Sequence, residues 1–263
     1  VTARVLETRS RPWRDPLAVA NGLKRLDGPL ALLSDGGALG RWSFVAAEPD
    51  QVHVGPLPAD GGLHRLSAPP LETGMVGLIA YDAGARAATG PRPEVWPDLM
   101  LARYPAMLAF DHRDRSVRVI GRGDDAAAAR DAAGRAEAWL TAARDPTQPA
   151  APAASFDAEA PSNAYTDAVA DVVDRIAAGE LFQANIARAW SGMLIPEADP
   201  FDVLLRLSDR AAAYGAFWRL GDLAIVSNSP DRSRAPAPGT RIRRATPPSP
   251  PSSRPAPRTG PRT

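Results

Sequence analysis

Six short apolar or alternating runs fill the first 123 residues: LALLSD at 30–35, RWSFVAAEP at 41–49, QVHVG at 51–55, GMVGLIAYD at 74–82, YPAMLAFD at 104–111 and SVRVIG at 116–121. Each is too short for a helix that buries one face. Gly, Pro or Asp closes each, so the pattern predicts a β-rich first half. A helical stretch, DDAAAARDAAGRAEAWLTAAR, follows to about 144, and the Pro/Ala-rich DPTQPAAPAAS after it reads as a linker. PSNAYTDAVADVVDRIAAGE is the clearest helix. Tyr165, Val169, Val172, Val173 and Ile176 form one apolar stripe opposite Asp167, Asp171 and Asp174, with Ser162 or Asn163 as N-cap and Gly179 as the stop. FDVLLRLSDR at 201–210 is a further helix, and YGAFWRL-Gly221-Asp222-LAIVSNS reads as a β-hairpin.

The expected organisation is therefore an N-terminal β-rich domain over 1–145, a linker over 146–160, the start of a second domain over 161–231, and a tail over 232–263. Charge separates the tail from the rest. It holds 8 of the 31 basic residues and no acid, which leaves residues 1–231 with 23 cations against 30 anions, a net charge of −7. The tail also lacks aromatic residues and hydrophobic periodicity, so it cannot bury a core and is expected to be disordered. It reads either as a basic arm for nucleic acid or as an out-of-frame terminus, since GC-rich DNA in a wrong frame yields Arg, Pro, Ala, Ser, Gly and Thr. The switch inside a recognisable motif favours the second, and nucleic acid is not an expected partner.

Several chemistries are disfavoured. The chain has no Cys, which removes disulfides and thiolates. It has no apolar run of the roughly 20 residues a membrane helix needs, and VTARVLETRSRPWRD has no secretory h-region, so the expectation is a cytoplasmic protein without a membrane partner. His53, His64 and His112 lack metal-ligand spacing, and no residue stands out as a metal ligand. Lys24 is the sole lysine. The run Gly121-x-Gly123-x-x-Ala126, between a strand and a helix, has the outline of a dinucleotide turn, but Asp124 and Asp125 would oppose a pyrophosphate there. Helix capping by those acids is the favoured reading.

GELFQANIARAW at 179–190 sets Gln183 and Asn185 two apart in an otherwise apolar segment. In a strand both amides would look the same way, toward a polar network or a ligand cavity. The stretch Gly179-Glu180-Leu181-Phe182-Gln183-Ala184-Asn185-Ile186, followed by Tyr214-Gly215-Ala216-Phe217 through Ser229-Pro230-Asp231-Arg232, resembles the chorismate-utilising enzymes. The likeness is closest to the component I subunits of aminodeoxychorismate synthases. Anthranilate synthases usually carry apolar residues after this Gln, so Gln-Ala-Asn tips the resemblance toward the folate branch and p-aminobenzoate, with the tryptophan branch as the alternative. More loosely, LLSDGGALGRWSFVAAEPD is similar to the family region that forms an amino-acid pocket, and GMVGLIAYDAGAR to a family strand.

This resemblance implies an α/β (α+β) fold, a β-sandwich with external helices. It implies chorismate as substrate, ammonia from a glutamine amidotransferase subunit (component II) and Mg²⁺ on a substrate carboxylate. Gln183, Asn185 and Ser229 become substrate-cavity candidates; Ser34, Arg41, Trp42, Ser43, Tyr214, Gly215 and Phe217 become amino-acid-pocket candidates. Two departures stand out. Arg210 to Tyr214 keeps only the aromatic of the family's N-x-x-P-[YF], and beyond Arg232 the family's P-I-[KA]-G-T segment, metal-binding carboxylates and general acid/base are not found. The chain is thus expected to be a truncated family domain with no catalytic residue of its own, inactive by itself, its strand edges unpaired. A noncatalytic amino-acid-binding or basic-tailed interaction fragment is the reading from a different class.

Overall fold

The computed structural model describes residues 5–38, 40–57, 74–84, 96–208 and 213–229. The tail at 232–263 and the Pro230-Asp231-Arg232 end of the motif lie outside the described residues. Residues 1–231 form one compact unit.

Seven strands build the main sheet: β1 (Val5–Pro12), β2 (Leu30–Leu33), β3 (Trp42–Ala46), β7 (Ala106–Asp111), β8 (Ser116–Gly123), β11 (Tyr214–Leu220) and β12 (Leu223–Ser229). Their order is β1-β8-β7-β3-β2-β11-β12, and every pairing is antiparallel. A second antiparallel sheet has order β4-β6-β5, from β4 (Gln51–Gly55), β5 (Met75–Ile79) and β6 (Leu99–Arg103).

Alternation along the strands assigns each face of the main sheet to its own core. Ala31, Val45, Leu108, Phe110, Val117, Val119 and Phe217 point to one side, where α1 (Pro16–Leu23), α2 (Ala126–Trp139) and α4 (Pro200–Ser208) cover them with Val19, Leu23, Ala132, Ala133, Trp139, Phe201 and Leu204. Their neighbours Leu30, Ala46, Met107, Ala109, Ile120, Trp218 and Leu220 point to the other, against Met100, Ala102 and Tyr104 of the β6 region. The result is sheet on sheet with helices outside, the mixed α/β sandwich expected. No helix among the described residues is long and apolar enough to cross a membrane.

The second core holds a buried polar pair. Tyr104, fully buried, donates its hydroxyl to the Gly28 carbonyl at 2.7 Å and accepts from Trp218 Nε1 at 2.7 Å. Burial pushes its ionisation above the ordinary phenol range. Tyr104→Phe leaves both partners unpaired in the core and is expected to cost about 1–3 kcal/mol, read from the midpoint of denaturant unfolding.

Three sequence expectations change. Residues 146–160 are not wholly linker: Ala153–Ala158 forms β9, which pairs antiparallel with β10 (Trp190–Leu194), and Phe156 stacks on Trp190 with centroids 6.3 Å apart. A Pro/Ala-rich flank hid the short ASFDA alternation. The β11–β12 hairpin, expected in the second domain, hydrogen-bonds through β11 to β2 and so extends the sheet of the first half. Finally, the strand expected to begin in GELFQANIARAW starts only at Trp190, and residues 181–189 carry no regular structure. The helix before it, α3 (Ser162–Ala177), forms as the periodicity predicts and stops at Gly179 with φ +77°. Its N-cap is Pro161, with no side-chain cap, in place of Ser162 or Asn163. None of its residues is buried, and Val173 and Ile176 of the apolar stripe are exposed.

Candidate functional site

At the β2–β11–β12 end of the main sheet, neighbouring strands set small and aromatic side chains on one face. Leu32 pairs with Ala216 and with Phe44, Ala216 with Ser227, and Tyr214 with Ser229. Together with Ser34, Gly40, Arg41 and Trp42 they line an open cavity of about 460 Å³. Its lining includes Ser34, Arg41, Trp42, Tyr214, Gly215 and Ser229, six of the sequence candidates. Five of them come from the amino-acid-pocket set and Ser229 from the substrate set.

The turn is held by its own polar groups. Ser34 Oγ donates to the Gly40 carbonyl and accepts the Gly36 N–H at 3.3 Å. A Cβ at Gly40 would lie 1.9 Å from Ser34 Oγ, so any larger residue there would displace the Ser34 hydroxyl from its hydrogen bond. Trp42 and Phe44 stack with centroids 6.5 Å apart and form an apolar wall.

Arg41 contributes no free charge to this cavity. Its Nε lies 3.0 and 3.1 Å from the two Asp111 oxygens, and its Nη2 lies 2.5 Å from Asp111 Oδ2 and 3.0 Å from Asp114 Oδ2. Asp111 also accepts the backbone N–H of Arg113 and of Asp114. The Arg41 guanidinium, with those backbone donors, holds the Asp111 carboxyl down at about 2. What remains is a rim whose Arg41 is held by two carboxylates and packs 5.1 Å from the Trp42 ring, with Arg118 5.0 Å from the same ring, around hydroxyls and aromatic surface.

Ser43 is fully buried and points away from this cavity. Its Oγ accepts the Ser34 N–H at 2.9 Å and lies 2.7 Å from His112 Nε2. With Ser34 as donor, the buried hydroxyl satisfies its own proton only by giving it to Nε2, which makes His112 a neutral imidazole with its hydrogen on Nδ1. The imidazole packs 5.0 Å from the Trp13 ring and lines a second cavity of about 320 Å³ with Trp13, Asp15, Asp35 and Arg115. Burial, then Arg115, lowers the His112 pKa against weaker raising effects of Asp15, Asp35 and Asp111. Because the folded value lies below the unfolded one, the neutral ring supports the fold above about pH 6.5 and that support is lost as pH falls through the folded pKa. Thermal melts between pH 8 and 5 should lose stability on acidification, and His112→Gln should flatten that part of the profile.

The remaining candidates sit elsewhere. Phe217 is in the core, 1% exposed, its ring edge-on to Phe201 with centroids 4.9 Å apart. Alternation explains the error: Phe217 lies one residue from Ala216 and therefore faces the helices. Gln183 and Asn185 are exposed in the irregular 181–189 segment, so the period-two argument that gave them a common face does not apply. Among the described residues no three His, Asp or Glu gather to hold a metal ion; the implied Mg²⁺ finds no ligand set there, and no step is derived through it. Asp111 and His112 had no motif to mark them, since their roles arise from residues some 70 positions away.

A family model described as chorismate binding enzyme matches residues 47–234. Aminodeoxychorismate synthase component 1 of Salmonella typhimurium is 29% identical over 169 residues, which cover 62% of this chain and 35% of that protein. Anthranilate synthase component 1 of Thermus thermophilus is 29% identical over 170 residues, 62% and 36% of the two chains. Aminodeoxychorismate synthase of Streptomyces griseus is 30% identical over 203 residues, 66% and 27%. The chain thus spans about a third of the length of these relatives. In fold it is similar to anthranilate synthase component I of Streptococcus pneumoniae, with TM-score 0.55, 20% identity, and 72% of this chain and 50% of that one covered. The menaquinone-specific isochorismate synthase of Escherichia coli gives TM-score 0.53, 13% identity, 86% and 50%.

Proposed function

The chain belongs to the chorismate binding enzyme family, and we propose that it serves the amination of chorismate to 4-amino-4-deoxychorismate, the component I role of an aminodeoxychorismate synthase. Ammonia in this reading comes from a glutamine amidotransferase subunit, and the product feeds p-aminobenzoate and folate synthesis. Relatives from both the folate and the tryptophan branch match at nearly the same identity. The choice between them rests on Gln183-Ala184-Asn185.

Within that protein the described residues supply a framework and an amino-acid-sized pocket. The observation that carries this reading is the spent charge of Arg41. A dicarboxylate such as chorismate, entering a cavity in which Arg41, the lining cation among the described residues, is already bound by Asp111 and Asp114, would lose hydration without gaining that arginine as a partner. A zwitterion with an aromatic side chain suits the same walls better: it carries no net charge, the Trp42 and Phe44 rings take its apolar part, and the hydroxyls and backbone groups of the rim take its polar end.

One assay, with two informative outcomes, tests the reading. Incubated alone with chorismate, ammonia and Mg²⁺, the chain is expected to give no aminated product by liquid chromatography, since among the described residues no carboxylate cluster gathers to hold Mg²⁺. Turnover at an ordinary enzymatic rate would contradict that clause, and anthranilate as product would contradict the branch.

A further inference from the structure

Residues 1–231 are acidic, with a net charge of −7, yet Lys24, Arg25 and Arg144 line one cavity of about 480 Å³ with Asn21 and Gly22. The seat is built by a close crossing. A Cβ at Gly22 would lie 2.0 Å from the Ala142 carbonyl, so glycine alone lets the chain after α2 lie against α1. There the backbone of Arg144 is clamped at both ends: its N–H donates to the Ala18 carbonyl at 2.9 Å, and its carbonyl accepts from Asn21 Nδ2 at 3.1 Å. The fixed backbone holds an exposed guanidinium beside the cations that end α1.

The charges there are only partly balanced. Lys24 Nζ lies 3.9 Å from Asp202 Oδ1 and 5.5 Å from the centre of the Phe201 ring, and its carbonyl accepts from Arg219, which pairs with Asp199 at 3.1 Å. Among the described residues neither Arg25 nor Arg144 forms an ion pair with a carboxylate. Lys24 and Arg25 complement the negative end of α1, but Arg144 arrives from another segment and adds like charge to theirs. Held in a concavity, two unpaired guanidiniums and an ammonium present planar forks and a point charge suited to oxyanions.

We propose that this cavity binds a small polyanion, a molecule with two or more adjacent phosphoryl or carboxylate groups. The inference is independent of the chorismate reading and concerns a different part of the sheet's surroundings. Inorganic pyrophosphate and citrate are the two probes, since they separate a phosphoryl from a carboxylate source. Calorimetry on the full chain should show saturable binding of at least one of them. Arg25→Gln with Arg144→Gln should weaken it by about tenfold or more for each cation removed and reduce its salt dependence, while Arg144→Lys keeps most of the affinity. The tail arginines are common to all these proteins, so they do not produce a difference. Without ligand, the double variant should melt at the same temperature or higher, because like charges have been separated.

Equal affinity in wild type and double variant, or no saturable binding of either probe, would overturn the proposal. So would a double variant that is markedly less stable without ligand, since the arginines would then be holding the fold.

Discussion

Valine in place of Gly121 is expected to lift α2 from the sheet and cost about 3 kcal/mol or more of stability. A Cβ at Gly121 would lie 2.1 Å from the Ala129 carbonyl oxygen and 2.3 Å from the Ala133 nitrogen, both backbone atoms of α2 that have no rotamer by which to move away. Gly123 is equally close, its Cβ position 2.5 Å from the Ala129 nitrogen. Behind that contact Ala132, Ala133, Ala136 and Trp139 are buried, and all would be exposed together if the helix moved. The contrast lies on the same helix: nothing is within 4 Å of a Cβ at Gly134, so Gly134→Ala should stabilise by about 0.5–1 kcal/mol through helix propensity. Chemical denaturation of both variants checks the pair. The glycines that give the segment its dinucleotide-turn outline are thus accounted for by helix-to-strand approach, and Asp125 caps α2 by accepting from the Ala128 N–H at 2.8 Å.

Phe217→Ala is expected to cost about 3–5 kcal/mol. The ring is 1% exposed, packs edge-on to Phe201, and sits on β11 between β2 and β12 where the α4 helix covers the sheet. Its neighbour Ala216 tests the opposite face: Ala216→Phe projects into the 460 Å³ cavity and should leave stability nearly unchanged. If Phe217→Ala were mild and Ala216→Phe severe, the face assignment of β11 would be inverted, and with it the whole lining of the cavity.

The strands that the sequence revealed are those with alternation or with clear turn residues, such as the Gly221-Asp222 hairpin, where Gly221 adopts φ +57°. Those it concealed had a physical reason to be hidden. β1, VLETRSRP, is an edge strand with five of its eight residues polar; Arg9 and Arg11 reach Glu137 of α2, a contact no local pattern announces. β6, LMLAR, is apolar on both faces because it lies between β4 and β5 under the main sheet, so it has no period to read. The short α1 carried its signals, Asp15 as N-cap accepting from the Ala18 N–H and Pro16 in the first turn, but eight residues offer too little periodicity to outweigh its flanks.

The candidate-site residues divide by where the strands carry them. Ser34, Arg41, Trp42, Tyr214 and Gly215 come together because β2, β3 and β11 are neighbours in the sheet. Gln183 and Asn185 were paired by a spacing rule that holds only in a strand, and they lie where there is none. The Arg41–Asp111–Asp114 cluster occupies the arginine of the cavity lining, and it depends on a contact across the sheet end that the linear order does not show.

With Arg41 already held by Asp111 and Asp114, the proposed ligand of this cavity is an aromatic zwitterion instead of a dicarboxylate. Calorimetric titration of the chain with tryptophan and, separately, with chorismate tests it most directly, each repeated on Ala216→Phe. Saturable tryptophan binding that disappears in Ala216→Phe is the predicted result. No tryptophan binding, or chorismate binding that Ala216→Phe abolishes, would contradict it.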